Sequence, residues 1–207
     1  MATAAEQGHE TRARLMTAVV ELLAEHGWGA VTTRLVADRA GVAPGLVHYH
    51  FPSVTDLLID ASVQAARREY ESAMAGVLAS PGPDAMRAML AAIATYTTAD
   101  PMTVAMTEMM LAATRHERLR VELGRLAADA RAAMARWFRG TGSVPDPEAT
   151  ATVVAALLDG LILHRLIDPS LGAVDVTGPL LRVAGLNETR TSEGKSDEQA
   201  GTGGPGD

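Results

Sequence analysis

The stretch TTRLVADRAGVAPGLVHYHF, Thr32 to Phe51, constrains the fold more than any other part of the sequence, because its turn residues and apolar spacing agree on two short helices joined by a tight turn. Thr32 is an N-cap whose hydroxyl can take up an orphaned backbone N–H of the first helix. Gly41 ends that helix, since the residue just past a helix C-terminus commonly adopts the left-handed conformation that glycine tolerates without strain. Pro44 then sits at the first position of a second helix, where its fixed φ fits and its missing N–H has no partner to lose. Leu35, Val36, Ala40, Val42 and Val47 can turn inward across the pair, while Arg34, Gly45, Leu46, His48 and Tyr49 are left to face outward or sideways. Helix, three-residue turn, helix is the arrangement that places a second helix in the major groove of DNA.

At these residues the sequence resembles the tetracycline-repressor-like family of bacterial transcription regulators. Ala40-Gly41-Val42, then Val47-His48-Tyr49-His50-Phe51, then Ser53 and Asp56-Leu57-Leu58 carry the resemblance. Beyond Leu58 it rests on helical layout and length. The chain departs from the family pattern at Ala43, where a Ser or another cap is usual, at His48, usually Tyr, and at Val54, usually Lys. Each departure removes or alters a phosphate contact.

The resemblance implies an all-α fold with a three-helix helix-turn-helix domain over residues 10–54 and a larger C-terminal helical domain over residues 55–186. It also implies a function: a ligand-responsive, sequence-specific transcription regulator, most simply a repressor released from double-stranded operator DNA by a small-molecule effector, acting as a homodimer in the cytoplasm without a cofactor. By resemblance, Thr33 and His50 fall where the family meets phosphate, and Arg34, Gly45, Leu46 and His48 fall where side chains or backbone approach base edges. Pro44 and Tyr49 complete the expected DNA-binding set, with packing beneath the recognition helix as the alternative for Tyr49. Arg34 is the best single donor, because a guanidinium can address guanine O6 and N7 together. Gly45 allows close backbone approach, and Leu46 can touch a thymine methyl.

The charge balance opposes this reading. The formal net charge is −7 and the pI about 5.4, whereas non-specific DNA affinity depends on Lys and Arg neutralising phosphates. Up to Asp60 the chain sets Arg12, Arg14, Arg34 and Arg39 against Glu6, Glu10, Glu21, Glu25, Asp38, Asp56 and Asp60. Local placement can reconcile the two, since charges act over about 10 Å at physiological salt and helix N-termini attract phosphate. The rival reading is a helical small-molecule-binding or enzyme-like protein whose helix-turn-helix has lost its DNA affinity.

The rest of the chain reads as helices separated by breakers. Residues 1–9 are small and polar and are expected to be disordered. Helical periodicity runs from Thr11 to His26, from about Thr55 to Leu78, from Asp84 to about Thr98, from Met102 to Thr114, from about Glu117 to Arg139, from Glu148 to Ile167 and from about Val176 to Gly185. Residues 187–207 are rich in Gly, Ser, Thr and charge and are expected to be disordered. No cysteine is present, so disulfides and thiolate metal sites are excluded. The N-terminal MATAAEQGHETRAR has no apolar core of a secretory signal. The apolar run Ala149–Leu163 is broken by Asp159 and followed by His164, Arg165 and Asp168, which reads as too short and too polar at its ends for a membrane span.

No spacing demands catalysis. A nucleophile elbow is absent, and Lys195 is the only lysine, so no phosphate loop with its Lys exists. His48 and His50, two apart on a helix, face different directions, and no metal is expected there. The Met-rich middle, with Met86, Met89, Met102, Met106, Met109 and Met110, either lines a pliable cavity or fills a core. The resemblance implies an effector pocket, for which Met89, Tyr96, Met106, Met110, Trp137 and His164 are the candidates, with Glu108 and His116 as further polar groups. An apolar molecule is the expected ligand class. The last two long apolar segments carry more apolar surface than one domain edge needs, and the resemblance makes them a four-helix dimer interface, assigned to Ala155, Leu158, Ile162, Leu180, Leu181 and Ala184, with a buried last helix in a monomer as the alternative. Such a dimer sets two reading heads about 34 Å apart.

Overall fold

Capping residues set where the helices begin and end. A computed structural model describes residues 3–79, 82–97, 99–142 and 144–186, which are all-α. Helix α1 is Ala4–His26, α2 Thr33–Ala40, α3 Pro44–His50, α4 Val54–Leu78 and α5 Gly82–Ile93. Then follow α6 Pro101–Ala113, α7 Glu117–Thr141, α8 Pro147–Ile167 and α9 Thr177–Val183, with short 3-10 turns at Trp28–Ala30 and Pro169–Ala173.

The Thr32 hydroxyl accepts the Leu35 N–H at 3.3 Å. Gly41 closes α2 at φ 64° and ψ 42°, donating its N–H to the carbonyls of Ala37 and Asp38. The Val42 N–H then reaches the Ala37 carbonyl at 3.0 Å, so the carbonyls at the end of α2 are satisfied before the chain turns into Pro44. Ser53, Asp100 and Asp146 cap α4, α6 and α8 in the same way, each accepting a backbone N–H from the first turn.

Two boundaries differ from the sequence expectation. Helix α1 starts at Ala4 rather than after residue 9, because Thr3 and Glu6 form a reciprocal capping box: the Thr3 hydroxyl accepts the Glu6 N–H and the Glu6 carboxylate accepts the Thr3 N–H. The T-x-x-E spacing was present in the sequence and outweighs the small, polar composition. Helix α5 ends at Ile93, short of Thr98, which lies outside the described residues, as does the expected disordered tail, 187–207.

The buried side chains form two large cores. The first joins α1 (Leu15, Val19, Leu22, Leu23), α2 (Val36, Ala37, Ala40), Val47, Phe51 and the start of α4 (Leu57, Leu58, Ala61). It does not stop at residue 54, since Ala105 and Met109 of α6 belong to it. The second joins α5 (Met86, Met89, Ile93), α7 (Met134, Phe138), α8 (Ala151, Val154, Leu158) and α9 (Leu180, Leu181, Ala184). Helix α4 reaches both, with Leu57 and Leu58 in the first and Met74 against the second, whereas α6 packs on the first.

Gly41→Ala tests the turn that aims α3. An L side chain at φ 64° is strained, and an added Cβ would lie 3.1 Å from Nη2 of Arg14, which donates to the Ala40 and Gly41 carbonyls. Urea denaturation is expected to show a loss of about 1–2 kcal/mol, with unchanged helix content.

Candidate nucleic-acid interface and ligand cavity

In the helix-turn-helix, the inward set is Val36, Ala37, Ala40 and Val47, with Val42 half-buried. Leu35, expected inside, is 37% exposed, and Ala37 takes its place, because the short α2 buries the face one residue further round. Phe51 is buried. The outward face of α3 presents Pro44, Gly45, Leu46, His48 and Tyr49, with His50 half-buried; on α2, Arg34 is exposed and Thr33 half-buried. Tyr49 is 81% exposed and does not pack beneath the recognition helix; its ring meets His50 edge-on, 5.0 Å between centroids.

Gly45 has no internal reason to be glycine. It is absent from the positive-φ glycines, and an added Cβ would meet no atom within 4 Å. A small residue there leaves room for something outside the chain.

The arginines divide by task. Arg12 pairs with Asp60 at 2.9 Å and lies over the Phe51 ring at 4.3 Å. Arg14 caps the end of α2, and Arg39 is held by Glu21 and Glu25. Arg34 is left with an 88% exposed side chain and a loose 3.9 Å approach to Asp38. The same pairing removes carboxylates from the balance: Glu21 and Glu25 are matched by Arg39, and Asp56 and Asp60 by Arg118 from the start of α7. Asp38 is the one carboxylate on α2, and α3 carries none.

Between α4, α5, α6, α7 and α8 lies a cavity of about 600 Å³. Six methionines line it, Met74, Met89, Met102, Met106, Met110 and Met134, so the Met-rich middle is divided: Met86 and Met109 are core, and the others named face the cavity. Of the six effector candidates, Met89, Tyr96, Met106 and Met110 are brought together here, whereas Trp137 and His164 are not among the lining residues. Trp137 packs edge-on against Phe138, and His164 lies on the exposed side of α8, about half a turn from the cavity-lining residues. Glu108 and His116 serve the junction with α1 instead: Glu108 accepts the Trp28 N–H at 3.1 Å, and the His116 ring lies 5.1 Å from that of Trp28.

The cavity also holds polar groups that sequence reasoning missed: Glu69, Tyr70, Arg131 and Asp159. Glu69 and Tyr70 follow Arg67 and Arg68 in an exposed-looking run, and only the three-dimensional position of α4 reveals them. Burial raises the Asp159 carboxyl above the usual range, and Arg131 opposes this. Asp159 is accessible, but the space it opens to is the cavity, where protein surrounds it on several sides. The Tyr96 hydroxyl donates to Glu69 at 3.3 Å and is pushed up to about 12 by burial and by the charges of Glu69 and Asp100.

The residues assigned to the dimer interface fall elsewhere in the single chain. Ala155, Leu158 and Ile162 line the cavity, and Leu180, Leu181 and Ala184 are buried in the chain's own second core. Apolar periodicity finds the inward face of a helix as readily as the outward one. The face of α8 left exposed carries Val153, Ala156, Leu157, His164 and Ile167, with Val183 on α9. By length and composition alone α8 could cross a membrane, with a mean hydropathy of 1.6 over its most apolar window. Ala151, Val154 and Leu158 nevertheless anchor it in the second core.

A helix-turn-helix with an open recognition face, built onto a helical body with its own cavity, defines a helix-turn-helix regulator. Sequence comparison agrees: the model for bacterial regulatory proteins of the tetR family matches residues 15–61, and that for the tetracyclin repressor-like C-terminal domain matches residues 81–185. The chain belongs to the tetracycline-repressor family, whose members are DNA-binding transcription regulators rather than enzymes, typically ligand-responsive and dimeric. An HTH-type transcriptional regulator of Mycobacterium tuberculosis is 27% identical over 174 residues, 81% of this chain and 88% of the relative. The HTH-type transcriptional repressor KstR of Rhodococcus jostii is 30% identical over 163 residues, 76% of this chain and 72% of KstR. A transcriptional regulator from Streptomyces coelicolor shares the fold with a TM-score of 0.69 at 24% identity, covering 84% of this chain and 98% of that one.

The perturbed tyrosine gives a pH prediction. Because Tyr96 keeps its proton in the folded state after an unfolded tyrosine has lost its own near the ordinary value of about 10, folding weakens as pH rises from about 10 towards 12. An alkaline absorbance titration is expected to show an ionisation near pH 12 that Tyr96→Phe removes.

Proposed function

We propose that the chain is a repressor that binds a two-fold operator as a homodimer in the cytoplasm and is released when a small, largely apolar molecule fills the cavity. The observation that carries this reading is the course of α4 and α6. Leu57 and Leu58 of α4 and Ala105 and Met109 of α6 belong to the core beneath the reading head, while Glu69, Tyr70 and Met74 of α4 and Met102, Met106 and Met110 of α6 line the cavity. A ligand that fits one arrangement of these helices better than another shifts the equilibrium between reading-head positions, by no more than its differential affinity. The apolar class follows from the methionines, which adapt to irregular apolar shapes.

In this reading Arg34, Gly45, Leu46 and His48 approach base edges, and Thr33, Pro44, Tyr49 and His50 border the phosphates. Arg34→Ala is expected to leave the fold intact and to abolish preference for the operator over random duplex. Gly45→Ala is the sharper test: in the free protein it is neutral or stabilising by up to about 1 kcal/mol, yet it should weaken operator binding. Both are read by titrating duplex at several salt concentrations, where true phosphate engagement shows as a negative salt slope. Tight, unchanged operator binding by both variants would overturn the assignment.

The dimer interface proposed here is the stripe of exposed Val153, Ala156, Leu157, His164 and Ile167 and half-buried Gly160 of α8, with Val183 of α9. Its residues recur three and four apart, so they share one face, and small Ala156 and Gly160 permit close approach of a second helix. Leu157 is 46% exposed, so Leu157→Asp leaves the monomer's fold largely intact. Sedimentation velocity is expected to find Leu157→Asp monomeric and helical, with operator affinity sharply reduced. Leu158→Asp, at a buried cavity wall, should instead lower the melting temperature.

A further inference from the structure

The charges around the cavity are unevenly placed. Its described lining contains three carboxylates, Glu69, Asp100 and Asp159, and one cation, Arg131. Arg131 acts on Asp159 and on Tyr70, on the side formed by α7 and α8. Glu69 and Asp100 have no ion-pair partner among the described residues. Their hydrogen-bond partners are neutral: Glu69 accepts the Tyr96 hydroxyl at 3.3 Å, and Asp100 accepts the N–H groups of Met102 and Thr103 and the Thr103 hydroxyl. Arg68 and Glu21 lie in the adjoining smaller recess, not in the cavity.

We infer that the molecule this cavity accepts is a cationic amphiphile, an amine or quaternary ammonium on an apolar body, with its charge held at Glu69, Asp100 and Tyr96. The inference rests on the reading of the cavity as the effector site. A ligand that fills the cavity expels water, and two carboxylates left without water or a cation are then penalised. An anionic ligand would add repulsion at the same end, and a neutral one would leave the penalty in place. A cation removes it, and the Tyr96 ring, beside Glu69 in the lining, adds attraction for a positive charge. The Tyr96 hydroxyl, raised chiefly by burial, is raised further by the charges of Glu69 and Asp100. Beyond the charged end, Met74, Met89, Met106, Met110 and Met134 offer a soft apolar wall to the rest of the molecule.

The position of this end gives the charge a regulatory meaning. Glu69, Asp100 and Met102 also line the recess of about 330 Å³ shared with Met16, Thr17 and Val20 of α1. Asp100 is the N-cap of α6, so a cation that competes for its carboxylate acts on the first turn of the helix that supports α1.

The test uses three probes of equal chain length, decyltrimethylammonium, decanol and decanoate, titrated calorimetrically into the full chain below their micellar concentrations. The ammonium is expected to bind about tenfold or more tighter than decanol, an advantage of one unit in log K, and decanoate weaker still. Glu69→Gln keeps an acceptor for Tyr96, and Asp100→Asn keeps a good N-cap; each should weaken ammonium binding by about fivefold or more while leaving decanol unchanged. Equal or tighter binding of decanol or decanoate, ammonium affinity unchanged in both variants, or no binding by any probe would overturn the inference. Operator release is measured in parallel. Ammonium binding without release would sink the effector reading and leave the cation preference standing, whereas release by decanol but not by the ammonium would do the reverse.

Discussion

The Glu108 carboxylate accepts the Trp28 N–H at 3.1 Å, at the point where α1 has ended and the chain has turned through Gly27 at φ 74°. Without that oxygen the N–H following the helix end would lack a partner in a part-buried place. Glu108 comes from α6, eighty residues further along the chain. The fold of the reading head is therefore completed by a helix outside it, and the fit is close: a Cβ on Gly27 would lie 3.1 Å from the same oxygen. Ala105 and Met109, on the same helix, enter the first core, while Met102, Met106 and Met110 face the cavity. Any displacement of α6 by a molecule in the cavity must be absorbed by the contact with α1, because packed cores rearrange between discrete states rather than deform continuously.

The acidic composition loses its force once the charges are placed. Four carboxylates of the reading head face arginines, and one of those arginines, Arg118, reaches across from α7 to Asp56 and Asp60. These pairs are half-exposed and contribute little stability each. Their larger effect is on the field: carboxylates that would repel a phosphate backbone are matched nearby, and the exposed recognition helix has none of its own. The arginines so used are no longer free to bind phosphate. The head is left with Arg34, backbone N–H groups and a close-approach glycine, which favours short-range fit over long-range attraction.

What the sequence made legible were features with local causes. Thr32, Gly41 and Pro44 act within a few residues of themselves, so the helix-turn-helix could be read from the caps; the Thr3–Glu6 box was equally local and went unread. Helix existence followed from periodicity, but periodicity cannot say which apolar face meets which neighbour. Leu158 and Leu157 look equivalent on α8, yet one walls the cavity and the other faces out. The Met-rich middle was ambiguous for the same reason, and was divided only by how α5 and α6 lie between core and cavity. Glu69, Arg131 and Asp159 gave no signal at all, since a carboxylate on a long helix is ordinarily solvated and only the meeting of α4, α7 and α8 encloses these.

Helix α8 brings the cavity and the proposed dimer face into one rigid element. Ala155, Leu158, Asp159 and Ile162 touch the cavity, while Val153, Ala156, Leu157 and Ile167 point away from it. A partner helix seated on the outer stripe would fix α8 from behind, leaving α4 and α6 as the walls free to respond to a ligand. Both lead to the reading head, α4 through Leu57 and Leu58 and α6 through Ala105 and Met109. In a monomer the unsupported α8 could yield instead, and the ligand's differential affinity would be dissipated in a helix with no connection to DNA. Dimerisation would then do more than set the spacing of two heads: it would decide which wall of the cavity moves.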